Sequence, residues 1–195
     1  MADAPQRLII GISGASGVIY GIRILELLRY TSVETHLVIS KSAEITVAYE
    51  TGWKAADVKA LADVVYPAAD IGAAISSGSY KTMGMVIAPC SIRSMGEISS
   101  GVTSSLLSRA ADVVLKERRR LVLMLRETPL HAGHIRSMQM VTEMGAIVAP
   151  PVPAFYARPK SIEEMVDQTI GRTLDLFDID TDFTKRWGED IARTE

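Results

Sequence analysis

The sequence predicts an α/β fold, in which a doubly wound, mostly parallel sheet carries helices on both faces. Short apolar runs alternate along the chain with longer amphipathic segments, which is typical of right-handed strand–helix–strand units. Several runs are apolar at every position, as strands are when a parallel sheet buries both of their faces. The length of 195 residues suits one domain. We therefore expect a single Rossmann-like α/β domain over residues 1–195.

Six short apolar runs are the predicted strands. They are residues 7–12, 35–39, 64–66, 85–88, 121–125 and 146–149, of which 64–66 is the weakest. The amphipathic segments between them predict helices over residues 18–30, 42–51, 55–63, 103–117 and 131–144.

The last third of the chain has a different pattern. Pro150, Pro151 and Pro153 end the final strand, because proline donates no backbone hydrogen bond. Ser161, followed three residues later by Glu164, predicts a capping box that opens one more helix. The apolar face of that helix comprises Ile162, Met165, Val166, Ile170 and Leu174.

The C-terminal tail, from about residue 178 to residue 195, is mostly polar but contains Trp187. A side chain of this size needs a packing surface. We therefore expect the tail to pack on the body of the domain or on a neighbouring subunit.

Composition excludes several classes of protein. The formal net charge is −2, from 21 basic and 23 acidic residues, so nucleic acid is not an expected partner. Cys90 is the only cysteine, which excludes an intrachain disulfide and fits a reducing cytosol. Neither a membrane-spanning run nor a secretory signal is evident. We expect a cytoplasmic protein without a membrane partner.

A glycine-rich loop follows the first predicted strand. Gly14, Ala15, Ser16 and Gly17 lie between that strand and a helix, where backbone N–H groups and the helix dipole attract an anion. The spacing matches neither the dinucleotide fingerprint nor the P-loop. The loop is therefore either a phosphate or nucleotide site or a plain tight turn.

Further polar residues follow other strands. Ser40, Ser91 and Ser94 lie at such ends, as do the adjacent Arg126 and Glu127. The carboxyl ends of parallel strands meet at one edge of the sheet, where open sheets bind ligands. Each serine has an ordinary alternative role as a helix N-cap. Glu127 could pair with Arg126 or act as a general acid or base.

Other candidate sites are weaker. Cys90 is expected to be buried and inert rather than a reactive thiolate. His131 and His134 lack an evident third metal ligand, and the acidic residues of the tail have a bulky Phe183 where a calcium loop needs glycine. We therefore expect no metal. Arg109 and Lys116 are seven residues apart and can share a helix face, which would make a two-cation anion site.

Together these motifs resemble the flavin prenyltransferase family, the UbiX/Pad1-like group. The resemblance extends from about residue 8 to residue 187 in unbroken order. The motifs that carry it are GASG at 14–17, SK at 40–41, PCS at 89–91, RAADVVLKER at 109–118, LRETPL at 125–130 and PAFY at 153–156. The run ISSGS at 75–79 is most similar to the branch associated with hydroxyarylic acid decarboxylase operons.

The resemblance implies a metal-independent prenyl transfer. A dimethylallyl group would pass from dimethylallyl phosphate to N5 and C6 of reduced FMN, closing a fourth ring and releasing phosphate. The product, prenylated FMN, would serve a partner decarboxylase of the UbiD type. The family also implies a homo-oligomer, commonly a dodecamer with sites between neighbouring chains.

The resemblance also implies roles for individual residues. Glu127 would transfer the proton, and Ser16 would also take part in catalysis. The residues implied to hold FMN are Gly14, Ala15, Ser16, Ser40, Ser91, Ile92, Arg93, Ser94 and Arg126. Those implied to surround dimethylallyl phosphate are Glu50, Arg109, Lys116, Tyr156, Arg172 and Trp187.

The chain departs from the family pattern at two places. Ile92 and Arg93 replace a Thr-Gly type of continuation, and Ile135, Arg136 and Ser137 replace a Leu-Glu-Asn run. Two other functions stay open at this point: a flavin-dependent oxidoreductive decarboxylase of the peptidyl-cysteine type, and a non-catalytic FMN-binding component of a decarboxylase complex.

Overall fold

The computed structural model describes residues 6–190, and the chain divides into two compact units, Met1–Pro150 and Pro151–Glu195. The ends of the predicted domain and tail, residues 1–5 and 191–195, lie outside the described part. The first unit contains the whole sheet. The second contains one long helix and the segments that flank it.

In the part of the chain that the structure describes, the sheet has six strands, all paired in parallel, in the order β3-β2-β1-β4-β5-β6. The strands are β1 (Arg7–Ile12), β2 (Glu34–Ile39), β3 (Val64–Tyr66), β4 (Gly84–Cys90), β5 (Arg120–Leu125) and β6 (Ile147–Val148). All seven residues of β4 are buried, as expected for a central strand covered on both faces. The strand order reverses between β1 and β4, and the crevice at such a point is where doubly wound sheets bind ligands.

Seven helices accompany the sheet in the described residues. They are α1 (Val18–Leu28), α2 (Lys41–Glu50), α3 (Ala55–Lys59), α4 (Ile92–Ser100), α5 (Leu106–Lys116), α6 (Ala132–Glu143) and α7 (Ile162–Asp175). None of them is long and apolar enough to cross a membrane. The predicted α/β class is confirmed, and so is each of the six strands, with bounds that differ by at most two residues at either end.

The helix predictions need three corrections. The predicted helix 55–63 ends at Lys59, with Ala60 as its C-cap. The segment 92–100 was not among the predicted helices, yet it forms α4, because Met95, Ile98 and Ser99 supply a buried face within a stretch of serines. The predicted helix 103–117 begins only at Leu106, because Ser105 caps it through the N–H of Ser108.

The second unit contains the predicted helix after Ser161, which is the N-cap of α7 and accepts from the N–H of Glu164. The predicted reciprocal bond is shifted by one residue, because the Glu164 carboxylate accepts from the N–H of Lys160. Val166, Ile170 and Leu174 are buried as predicted, whereas Ile162 is exposed.

Candidate functional site

A cleft with a volume of about 480 Å³ lies at the carboxyl edge of the sheet in the first unit. Its walls come from the loops that follow β1, β2, β3 and β4 and from the start of α5. The predicted residues Gly14, Ser40, Ser91, Arg93 and Ser94 all line it. The polar residues at the ends of these strands therefore lie together at one edge of the sheet, as the sequence predicted.

Three helices begin at this cleft. Ser40 caps α2 through the N–H of Ala43 at 3.1 Å, and Ser91 caps α4 through the N–H of Ser94 at 3.2 Å. Ser105, the cap of α5, lines the cleft as well. The ordinary capping role of Ser40 and Ser91 is therefore confirmed, and the three caps direct three positive helix ends to one space. Such an arrangement attracts a phosphate.

Ser13 joins the two central strands at the base of the cleft. Its hydroxyl donates to the carbonyl of Pro89 and accepts from the N–H of Ser91, both at 2.7 Å. The residue is almost completely buried. These two hydrogen bonds fix the glycine loop against the end of β4, which gives the cleft a rigid floor.

Gly14 is required by a close approach. A Cβ at this position would lie 2.3 Å from Oγ of Ser42. Any larger residue would therefore push the loop after β1 away from the start of α2 and deform the cleft wall.

One carboxylate faces the cations of the cleft. Burial raises the pKa of Glu97, but hydrogen bonds from Ser104, Arg93 and Ser108 outweigh burial and lower the pKa below its usual value. Glu97 thus stays ionised and holds Arg93 by an ion pair of 3.0 Å. Lys41 is exposed and also lines the cleft, where it adds a positive charge.

Glu50 lies at the amino end of α1. Its carboxylate accepts from the N–H of Gly17 at 2.8 Å and of Val18 at 3.4 Å. Gly17 has a φ of 95°, a left-handed conformation that glycine adopts without strain. The structure therefore brings Glu50 to the glycine loop and to the adjacent Ser16, although Ala15 and Ser16 do not line the cleft itself.

Arg126 and Glu127 follow β5 and are exposed. The N–H of Arg126 donates to the carbonyl of Cys90 at 3.0 Å, so its backbone is fixed to the end of β4. Burial raises the pKa of Tyr20, on α1, and the Arg126 charge acts in the opposite direction. Glu127 accepts from the N–H of Thr128 at 3.0 Å, and no ion pair joins it to Arg126 in the described residues.

The two predicted cations of α5 each have a carboxylate partner. Arg109 pairs with Asp112 at 2.7 Å, and Lys116 pairs with Glu117. Both cations remain partly exposed. An incoming anion would therefore compete with these carboxylates rather than meet two free charges.

Three predicted residues belong to the second unit. The rings of Tyr156 and Trp187 meet edge to face, with centroids 5.6 Å apart. Arg172, on α7, pairs with Asp175. The structure thus brings Tyr156 and Trp187 together, a contact that the sequence did not predict.

Cys90 is buried, as predicted, and burial raises the pKa of its thiol to about 12. His131 and His134 have ring centroids 3.5 Å apart, and His131 caps α6 through Nδ1. Within residues 6–190, no group of three or more potential ligands is placed to hold a metal ion.

Comparison with known proteins assigns this geometry to a family. The Flavoprotein family profile matches residues 2–174. Flavin prenyltransferase UbiX of Escherichia coli K12 is 56% identical over 185 residues, which covers 93% of this chain and 98% of that protein. The chain belongs to the flavin prenyltransferase family. The UbiX of Thauera aromatica is 54% identical over 93% of this chain and 94% of its own length.

Solved structures agree with this assignment. The crystal structure of AnUbiX in complex with FMN and dimethylallyl pyrophosphate has a TM-score of 0.94 and 50% identity, covering 95% of this chain and 98% of that one. The dodecameric FMN-dependent UbiX-like decarboxylase of Escherichia coli O157:H7 has a TM-score of 0.91 and 44% identity, covering 93% and 99%. The peptidyl-cysteine decarboxylase EpiD, at 16% identity and a TM-score of 0.63, shares the fold alone.

Some cleft residues of this flavin prenyltransferase family member were not predicted. Ser13, Lys41, Ser42, Ser104 and Ser105 line the cleft beside the predicted ones. Two signals could have found some of them. Ser13 and Lys41 lie at or just after strand ends, and Ser105 with Ser108 has the spacing of a helix cap.

Proposed function

We propose that this chain is a flavin prenyltransferase that transfers a dimethylallyl group from dimethylallyl phosphate to reduced FMN, and that its product serves a UbiD-type decarboxylase. The observation that carries the proposal is the 50% identity, over 95% of the chain, to AnUbiX, whose crystal structure contains FMN and dimethylallyl pyrophosphate. The cleft at the β1–β4 crevice supplies the physical basis.

The residues of the cleft fit FMN. The flavin phosphate needs several hydrogen-bond donors and positive charge, and three helix amino ends with Ser40, Ser91 and Ser94 provide them. The close contact at Gly14 leaves the loop backbone, rather than a side chain, at the cleft wall. Arg126 would add a positive charge near the flavin. Reduced flavin supplies the nucleophilic ring atoms N5 and C6 that take the prenyl group.

The remaining predicted residues would act on the donor. Cleavage of the allylic C–O bond places negative charge on the leaving phosphate, which N–H and O–H donors stabilise. The predicted donors are Arg109 and Lys116 in the first unit, and Tyr156 and Arg172 in the second. Trp187 presents a π face that stabilises an allylic cation. Arg109, Lys116 and Arg172 each have a carboxylate partner in this chain. The leaving phosphate would take the place of that partner.

Glu127 would remove the proton that ring closure releases. Its carboxylate is exposed and follows β5 at the ligand-binding edge of the sheet. It accepts a hydrogen bond from the N–H of Thr128, which leaves further lone pairs of the carboxylate open to a proton. Such a carboxylate would accept the proton that leaves flavin C6; closing the ring adds one proton to the prenyl double bond, so the two transfers balance.

We also propose a homo-oligomeric, cytoplasmic protein. A relative with 44% identity forms a dodecamer. A lone, buried cysteine suits a reducing compartment.

The test is reconstitution of a partner. The protein is incubated without oxygen with reduced FMN and dimethylallyl phosphate, and the filtrate is added to a UbiD-type apo-decarboxylase. We expect decarboxylase activity that depends on the donor and on this protein. An apo-decarboxylase that stays inactive, while filtrate from Escherichia coli UbiX activates it, would refute the proposal.

A further inference from the structure

The described part of the C-terminal tail, residues 178–190, is held on α7 by a buried side chain. Gln168 is only 4% exposed. Its amide nitrogen donates to the carbonyl of Lys185 at 3.0 Å, and its amide oxygen accepts from the N–H of the same residue at 2.9 Å. A carboxamide thus satisfies both backbone groups of Lys185, in the way that a neighbouring strand would.

The next residue, Arg186, makes a second contact with α7. Arg186 makes two bonds to the Asp175 carboxylate, at 2.9 and 3.0 Å, which is the bidentate geometry that fixes a guanidinium most firmly. Asp175 also pairs with Arg172. Lys185 and Arg186 are therefore held on α7 by two independent side chains.

These two residues directly precede Trp187. The Lys185 ammonium also donates to the carbonyl of Ala157 at 2.8 Å, and Ala157 directly follows Tyr156. Lys185 is therefore tied to α7 through its backbone and to the Tyr156 turn through its side chain. The edge-to-face contact of Tyr156 with Trp187 lies at the meeting point of these bonds.

The contact needs such support, because Trp187 is 75% exposed in this chain. One aromatic contact offsets only part of the entropy of ordering a terminal segment. The bonds made by Gln168 supply a fixed anchor two residues away.

We propose that Gln168 is a positioning residue: it holds the tail so that Trp187 and Tyr156 form one side of the prenyl donor site. The role in donor binding rests on the proposed function, whereas the anchoring of Trp187 does not. Gln168 acts through the tail and touches neither the flavin nor the donor.

The test uses Trp187 as its own probe. Trp53 and Trp187 are the two tryptophans of the chain, so Trp53→Phe leaves Trp187 as the sole indole. In that background, Gln168→Met removes both bonds to Lys185 at similar side-chain length. We expect the steady-state anisotropy of Trp187 emission to fall to less than half. We also expect the KM for dimethylallyl phosphate to rise about tenfold or more, with an unchanged Kd for FMN.

The control is Gln139→Met, at an exposed glutamine of α6 that bonds to Glu143; it should change neither quantity. Gln168→Glu, which keeps the acceptor and loses the donor, should give intermediate values, and it replaces Gln168→Met if that variant does not fold.

Unchanged Trp187 anisotropy in a folded variant would overturn the anchoring. A fall in anisotropy with an unchanged KM would overturn the role in donor binding. If no variant or parent transfers prenyl groups, the proposed function fails while the anisotropy still decides the anchoring.

Discussion

Two exposed carboxylates near the carboxyl edge of the sheet differ in their surroundings. Glu50 accepts from two backbone N–H groups at the start of α1. Glu127 accepts from the N–H of its own neighbour, Thr128. Glu50 is thus held against the glycine loop by two backbone bonds, whereas the bond of Glu127 is to its own neighbour. This difference in contacts is consistent with the role in proton transfer that the family resemblance implies for Glu127.

Replacing Glu127 by Gln should leave FMN binding intact and lower formation of prenylated flavin by about 100-fold or more, the usual effect of removing a general base. Rapid mixing of the variant with reduced FMN and dimethylallyl phosphate, followed by flavin spectra, measures this rate. Glu143→Gln, at an exposed position of α6, is the matched control and should have the normal rate. A normal rate of fourth-ring formation in Glu127→Gln would exclude Glu127 as the base.

The thiol of Cys90 should be unreactive in the native protein. Burial raises its pKa to about 12, so that the thiolate, which is the reactive form, is scarce at neutral and mildly alkaline pH. A maleimide reagent at a mildly alkaline pH should label the unfolded protein fully while the native protein stays unlabelled over the same time. Rapid labelling of the native protein would show that Cys90 is accessible, contrary to the structure.

At the scale of elements, the packing of α1 on the central strand β4 depends on one glycine. A Cβ at Gly21 would lie 2.3 Å from the carbonyl oxygen of Ala88 and 2.8 Å from Cγ1 of Ile12. The backbone of β4 cannot move aside without disturbing its neighbours in the sheet. The approach of α1 therefore fixes the geometry of the glycine loop that precedes it.

We expect Gly21→Ala to lower the free energy of unfolding by about 1–3 kcal/mol, the usual cost of overpacking, even though alanine favours a helix. Urea unfolding measures this change. Gly96→Ala on α4 is the control, because a Cβ there meets nothing within 4 Å; it should be neutral or stabilising by up to about 1 kcal/mol. Equal stabilities of the two variants would contradict the close packing of α1.

The sheet could be predicted from the sequence because its strands are apolar at most or all positions and are separated by amphipathic segments. The edge that binds ligands followed from parallel pairing. The start of α4 was indicated by the capping role expected of Ser91, but its course as a helix was not predicted, since Gly96 and three serines interrupt its apolar face. The bonds of Gln168 to Lys185 could not be predicted either. They join residues 17 positions apart, and a single glutamine forms no sequence motif that would indicate its partner.

At the scale of the whole molecule, the exposed apolar side chains of the second unit are notable. Val152, Phe155, Ile162 and Trp187 are each between 72 and 75% exposed in the single chain. Apolar surface of this extent is often covered by another protein chain, and a relative with 44% identity is dodecameric.

Light scattering should therefore give a mass well above the 21.2 kDa of one chain. Phe155→Ser should lower that mass or weaken the assembly on dilution, because burial of an aromatic ring contributes strongly to an interface. The exposed Tyr30, just after the end of α1, offers a control in Tyr30→Ser. A wild-type protein that is strictly monomeric and fully active would contradict the expected assembly.

The transfer of a prenyl group to flavin is the central claim, and mass spectrometry of the flavin tests it most directly. The protein is incubated without oxygen with reduced FMN and dimethylallyl phosphate. The flavin is then released and its molecular mass is measured. We predict a gain of one dimethylallyl unit, with release of one phosphate for each flavin converted. A flavin of unchanged mass, in a protein that demonstrably binds FMN, would contradict the proposed activity.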